Sequence, residues 1–273
     1  MTRKSAKSIP EFRFEPIAFI QTPFTQRFGI PRQPGLVPEA KGIIKFRNDP
    51  DFQHALKGME HFSHLWIVFV FHSHGGNKWK PTIRPPRLGG KEKMGVLASR
   101  SPHRPNPVGL SACEIESIDL MAKGGPEIRV RGVDLLDGTP ILDIKPYIPY
   151  ADSIPEANPG WAHEEIKKTE VIFSLLANEK IARIEANGEP GLRNLIEQLL
   201  TIDPRPGFQR RELPPEAEHS QGKDFGLLVR NYDVHWHIEN QAFVVDDLVT
   251  EFANASGTVR VKAARDSKKD STD

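Results

Sequence analysis

The segment Met94–Ser111 reads MGVLASRSPHRPNPVGLS, and its three prolines, Pro102, Pro105 and Pro107, constrain how the chain around it folds. Each proline fixes φ at about −65°, lacks an N–H, and pushes the residue before it toward extended backbone. Neither a helix nor a central strand runs through such a sequence. The stretch predicts a stiff extended loop between two strands, MGVLAS before it and VGLSACEI after it. Arg100, His103, Arg104 and Asn106 alternate with the prolines, so the loop presents two guanidiniums in fixed directions. By composition alone it also reads as a Pro-rich surface connection; rigidity combined with positive charge favours a functional loop.

Outward from this loop the first 150 residues are β-rich. Phe12–Ile20 alternates and ends at Thr22-Pro23, and PRQPGLVPEAKG (Pro31–Gly42) is a loop. Ile43–Phe46 is short and apolar, and Phe52–Met59 reads as a turn or two of helix. Phe62–His72 (FSHLWIVFVFH) is a continuous apolar run, as expected of a strand covered on both faces. Further strands are expected at Val108–Leu120, Glu127–Leu135 and Pro140–Ile144, with turns at Gly124-Gly125 and Asp137-Gly138. Short strands, Pro/Gly connections and little helical periodicity predict a mainly β domain with a closed or nearly closed antiparallel sheet. No G-x-G-x-x-G follows a strand and no P-loop sequence is present, so a dinucleotide or P-loop fold has no support.

The pattern changes after Trp161. Thr169–Leu175 reads as a strand and Asn178–Ala186 as a helix. In Glu189–Thr201 the residues Leu192, Leu195, Ile196, Leu199 and Leu200 fall at helical spacing, with Pro190 near the start and DPRPG as the stop. Phe225–Ile238 and Ala242–Val249 read as a hairpin turning at Glu239-Asn240. We read residues 1–11 as an N-terminal arm, 12–161 as the barrel domain, 162–250 as a small α+β domain and 251–273 as a polar, disordered tail.

Composition narrows the function. The 273 residues are 38% apolar and 27% charged, enough to bury a core, and the net charge of +1 provides no global pull on nucleic acid. A single cysteine, Cys113, excludes an intrachain disulfide, and the run Leu65–Phe71 is too short to span a bilayer. A soluble, cytoplasmic protein is the expectation. Locally the balance differs: Arg84–Arg104 holds Arg84, Arg87, Lys91, Lys93, Arg100 and Arg104 against Glu92 alone, a plausible phosphate surface. Asp143 interrupts an apolar strand, so it must be paired, with Lys145 or a loop arginine, or face a cavity. His61, His64, His72, His74, His235 and His237 bring no H-E-x-x-H and no cysteine ligand, so no metal is expected. Ser101 or Ser111 with His103 and Asp143 lacks a G-x-S-x-G, which leaves a hydrolase unsupported.

PRQPGL (Pro31–Leu36), EHFSHLWIVFVFH (Glu60–His72), RPPRLGG (Arg84–Gly90), RSPHRPNPVGLS (Arg100–Ser111) and DLLDGTPILDIKPYIPYADS (Asp134–Ser153) together resemble the TsaA-like family known as TrmO. The resemblance covers about residues 12–161, and DPRP (Asp203–Pro206) resembles that family's C-terminal domain. Ala18 departs from the family's usual glycine, at a position where no chemistry rests. The resemblance implies a β-barrel methyltransferase that uses S-adenosyl-L-methionine, works as a homodimer, and acts on tRNA at the N6-threonylcarbamoyladenosine beside the anticodon. A tRNA-binding module without catalysis is the alternative. By motif match, Pro34, Gly35, Leu36, His72, Ser73, Arg100, Leu110, Gly132, Val133, Asp134 and Leu135 fall on the cofactor pocket. Arg104, Asn106, Asp143 and Lys145 are the expected catalytic groups. Arg32, Arg84, Arg87, Lys91 and Lys93 are the expected substrate contacts.

Overall fold

The structure, a computed structural model, describes residues 12–73, 79–85, 88, 92–163 and 165–250. The N-terminal arm, His74, Arg87, Lys91 and the C-terminal tail lie outside the described residues. Eight strands form in the first part of the chain. They are β1 (Ala18–Gln21), β2 (Lys41–Phe46), β3 (His64–Val70), β4 (Thr82–Ile83), β5 (Met94–Gly95), β6 (Val108–Asp119), β7 (Glu127–Arg131) and β8 (Thr139–Pro146). Six of them close into an antiparallel barrel in the order β1-β2-β7-β6-β3-β8, while β4 and β5 pair as a separate ribbon.

The alternation along each strand supplies the barrel's interior. Ile20, Ile44, Leu65, Ile67, Ile128, Val130, Cys113 and Ile141 are buried, and their strand neighbours face outward. On β3 the inner residues Leu65, Ile67 and Phe69 alternate with half-buried Trp66, Val68 and Val70. The continuous apolar run is therefore fully covered on one face and partly covered on the other, where Trp66 packs against Tyr147. MGVLAS also departs from expectation. Only Met94-Gly95 pairs as a strand, and Val96–Ala98 turns as a 3-10 helix that bonds back on itself. The helix expected at Phe52–Met59 starts earlier, as α1 (Pro50–Ala55), because Asp49 caps it by accepting from the Asp51 N–H and Pro50 fits its first turn. A single turn, α2 (Pro149–Asp152), follows the barrel.

The second part contains β9 (Val171–Phe173), α3 (Leu175–Ala186), α4 (Leu192–Thr201), α5 (Gly207–Glu212), β10 (Asp224–Val229), β11 (Tyr232–Glu239) and β12 (Ala242–Thr250). The expected hairpin is one strand richer than predicted. Arg230, at φ 54°, turns the chain inside Phe225–Ile238, and a second turn at Asn240-Gln241 leads into β12. Parallel β9 completes the sheet in the order β10-β11-β12-β9. The leucines of α4 are buried on the inner face of this domain with Trp236, Phe243 and Val245. No described helix is long and apolar enough to cross a membrane.

Arg205, from the DPRP turn that stops α4, is fully buried. Its Nε and Nη2 donate to the two carboxylate oxygens of Asp203 at 2.8 and 2.7 Å, and Nη1 donates to the Leu213 carbonyl at 2.8 Å. The guanidinium lies 5.0 Å from the Phe225 ring, 5.1 Å from Phe243 and 5.9 Å from Trp236. A buried charge with this many partners is tolerated, whereas removing one partner strands the other. Arg205→Ala should therefore lower unfolding stability by roughly 3–5 kcal/mol, measured by urea denaturation. A loss under about 1 kcal/mol would mean that Asp203 finds water instead.

Candidate active site

The C-terminal ends of β1, β3 and β7 and the N-terminal starts of β2, β6 and β8 all lie at one end of the antiparallel barrel, so the connections between them meet there. A cavity of about 1380 Å³ opens at this end. Two glycines set its geometry. Gly35 and Gly132 both adopt positive φ, 77° and 73°, and the Gly35 N–H donates to the Gly132 carbonyl at 2.8 Å. A Cβ on Gly132 would stand 3.1 Å from the Gly35 backbone, so the two loops touch main chain to main chain. That contact brings Arg32 and Gln33 to one side of the cavity and Asp134 and Leu135 to another.

The proline loop forms a further wall. With no sheet partner, its amides turn to serine hydroxyls: Ser99 Oγ accepts from the Ser101 N–H and Ser101 Oγ accepts from the His103 N–H. Arg104 Nη1 donates to the Ser99 carbonyl at 3.3 Å, and Arg100 Nη1 donates to Gln33 Oε1 across the opening. Arg27, Arg32, Lys80, Arg84, Lys93, Arg100 and Arg104 line the cavity, and Asp134 is the one acid among its described lining residues. Asp134 Oδ1 accepts from Ser111 Oγ at 2.6 Å. Burial pushes the Asp134 carboxyl up to about 6, while the Ser111 hydrogen bond and the Arg100 charge restrain the rise. Cys113, buried inside the barrel, has its thiol pushed far up by burial and by Asp134, so it stays protonated.

Of the residues selected from sequence, Arg32, His72, Ser73, Arg84, Lys93, Arg100, Arg104, Asn106, Leu110, Asp134 and Leu135 line this one cavity. Pro34, Gly35, Gly132 and Val133 stand behind the wall, and Leu36 faces a neighbouring cavity. Asp143 and Lys145, expected as catalytic groups, are not among the residues that line the cavity. The register pairs Asp143 with Val68 and Lys145 with Trp66, which itself lines the cavity, and Lys145 Nζ meets Asp143 Oδ2 at 2.8 Å with both side chains about half exposed or more. Arg27, Lys80 and Trp161 join the lining without a signal in the sequence, because they come from separate segments, and Ser111 joins it from the proline-loop motif. Among the described residues no three His, Cys, Asp or Glu side chains are grouped to hold a metal.

The class of protein is thus a closed single-sheet barrel whose mouth gathers seven lysines and arginines around one carboxylate. The chain belongs to the tRNA-methyltransferase O (TrmO) family: residues 19–153 match the N-terminal domain of that family and residues 166–251 its C-terminal domain. It is 37% identical over 235 residues to the tRNA (adenine(37)-N6)-methyltransferase of Escherichia coli K12, covering 86% of this chain and 96% of that one. The enzyme of the same name from Eikenella corrodens is 50% identical over 185 residues, 68% of this chain and 96% of that one. The crystal structure of TrmO from Pseudomonas aeruginosa superposes with a TM-score of 0.70 at 32% identity, covering 88% of this chain and 99% of that one.

The Asp134 environment predicts a pH signature. Its folded-state pKa lies above the free value of 3.8, so its contribution to stability is full below 3.8 and is lost as pH rises through about 6. The loss is at most about 3 kcal/mol. Asp134→Asn keeps an acceptor for Ser111 but cannot ionise. In urea unfolding across this pH window, the parent should lose stability relative to the Asn variant; parallel curves would contradict the buried, poorly solvated carboxyl.

Proposed function

We propose that this protein is an S-adenosylmethionine-dependent tRNA methyltransferase acting on N6 of adenosine 37, beside the anticodon, and that the adenosine must already carry an N6-threonylcarbamoyl group. The observation that carries the reading is the charge of the cavity: seven lysines and arginines surround one carboxylate in a protein of net charge +1. Such concentration favours a polyanion at the mouth. The cavity also fits the cofactor. Its zwitterionic methionine end calls for one cation and one anion close together, and Arg100 and Asp134 supply them in the same cavity. Phe71, Leu97, Leu110 and Leu135 supply apolar surface for a purine. When bound, S-adenosylmethionine provides a methyl group on a positively charged sulfur.

The chain's own residues then have three tasks. Arg100 and Asp134 orient the cofactor's amino-acid end, and the proline loop keeps their spacing rigid. Arg104 and Asn106 act on the substrate. The target nitrogen sits between a purine and a urea-type carbonyl, so its lone pair is delocalised and its N–H is acidic. A guanidinium and an amide donating to the oxygen where charge develops lower the barrier without a strong base, and the N6 proton leaves to solvent water. Arg32, Arg84 and Lys93 hold the RNA backbone around the reacting base, a role that extends by motif to Arg87 and Lys91. Asp143 and Lys145, paired on the barrel's outside, serve structure. The working unit is a homodimer in the cytoplasm. In support of the dimer, Leu110 and Val108 leave a partly exposed apolar strip on the cavity wall itself, 52% and 39% accessible.

The decisive measurement offers the purified protein S-adenosylmethionine with tRNA from cells that do or do not make the threonylcarbamoyl group. Methyl transfer is expected only to the modified tRNA; comparable transfer to unmodified adenosine 37 would overturn the substrate assignment. In the same assay Asp143→Asn should retain the single-turnover rate within about twofold, and Arg104→Ala should lose about a hundredfold or more. Light scattering should return twice the chain mass; a monomer at micromolar concentration would remove the dimer.

A further inference from the structure

A second cavity, again about 1380 Å³, lies between the barrel mouth and the C-terminal domain. It is continuous with the first, because Arg32, Gln33, Arg100 and Trp161 line both. Its far wall comes from the C-terminal domain and the segment leading into it, with Lys167, Lys168, Arg210 and Arg211 lining it. Four acids share the lining, Glu165, Glu170, Asp203 and Glu216, but Asp203 is neutralised by the buried Arg205. Among the described lining residues, six lysines and arginines thus stand with three acids besides Asp203.

Arg210 is the informative member. Its Nε is buried with no hydrogen-bond partner. Burial lowers its pKa; Asp203 offsets the effect and the neighbouring Arg205 adds to it. A half-buried guanidinium beside a second cation, with an unmet donor, is relieved by an anion. Lys167 and Lys168 are exposed and make no ion pair among the described residues. The cleft is also held in place. Arg32 Nη2 donates to the Arg205 carbonyl at 3.0 Å, Arg230 N–H donates to the Pro23 carbonyl at 2.8 Å, and Glu39 N–H donates to Gln198 Oε1 at 2.9 Å. The other large surface of this domain points away from RNA, since the outer side of its sheet carries Asp233, Glu239 and Asp246 around His235 and His237.

We propose that the interdomain cleft is a second RNA site, in which Lys167, Lys168, Arg210 and Arg211 hold backbone phosphates of the strand that continues from the base in the first cavity. The inference rests on the tRNA reading given above and adds where the rest of the substrate lies. A base drawn out into a pocket leaves its strand running on at both sides. The continuous cationic floor through Arg32 and Arg100 leads one of those sides into the cleft, and backbone recognition of this kind needs no base contact.

The test uses the full chain with Lys167→Ala, Lys168→Ala and Arg211→Ala combined. A control removes two exposed lysines outside both cavities, Lys57→Ala with Lys123→Ala. Full-length tRNA binding is measured by fluorescence anisotropy across a salt series, with S-adenosylmethionine affinity by calorimetry and single-turnover methylation alongside. The cleft variant should bind tRNA about tenfold or more weakly near ~0.1 M salt, and its log–log salt slope should fall by about two to three. Cofactor affinity and the rate at saturating tRNA should match the parent, and the control should keep the parent's tRNA affinity. A cleft variant with unchanged affinity and slope, while the parent binds and methylates tRNA, overturns the second site alone. A parent that neither binds nor methylates tRNA overturns the functional reading beneath it.

Discussion

Strand β1 is four residues long, yet it hydrogen-bonds on both sides, to β2 through Ala18–Gln21 and to β8 through Ala18–Ile20. That double pairing closes the sheet, and a closed sheet has no edge to protect. The corner just beyond β1 is tied down further. The Thr22 N–H donates to Asp137 Oδ1, the Asp137 N–H to the Phe24 carbonyl and the Gly138 N–H to the Ile20 carbonyl. Because the strands alternate direction, closure also gathers every connection of one polarity at one end. The mouth is a consequence of the ladder, and the active site is a consequence of the mouth.

At that mouth the electrostatics are deliberately unbalanced. Seven cations and one buried carboxylate share the cavity, and the carboxylate's own solvation is poor enough to lift its pKa to about 6. Arg100 opposes that rise, and Ser111 anchors the acid in place. Pairing of this kind keeps Asp134 largely ionised near neutral pH while the surrounding positive field remains available to phosphate. Rigidity supplies the rest. Three prolines, two serine-centred turns and main-chain bonds from Phe71 to Pro107 and from Lys80 to His103 hold the arginine-bearing loop.

The two domains share one hydrophobic core and meet through specific bonds. Arg205 is the pivot: its side chain is enclosed by Asp203 and three aromatic rings, and its carbonyl accepts from Arg32, a residue of the cavity wall. A group that lies wholly inside the C-terminal domain thereby fixes a cation at the barrel mouth. This link gives the C-terminal domain a part in shaping the substrate surface.

Much of this was legible in the chain. Prolines at 102, 105 and 107 forbid regular structure whatever surrounds them, so the loop was readable locally. Short apolar segments between Pro/Gly turns named the barrel strands, and the leucines of α4 named its buried face. The turn at Arg230-Asn231 was hidden, because no glycine or proline marks a left-handed arginine. Nor could the sequence tell which acid lines the cavity. Asp134 and Asp143 are both acids within strand-like apolar text, and only the tertiary structure places Asp134 on the cavity wall beside Ser111 and Asp143 in an ion pair with Lys145. By itself the sequence determined the barrel class, the rigid loop and the cationic stretch, since each depends on torsion angles and spacing along the chain. The tertiary structure decided which charges face one another, because that depends on strand register and on loops brought together across more than a hundred residues.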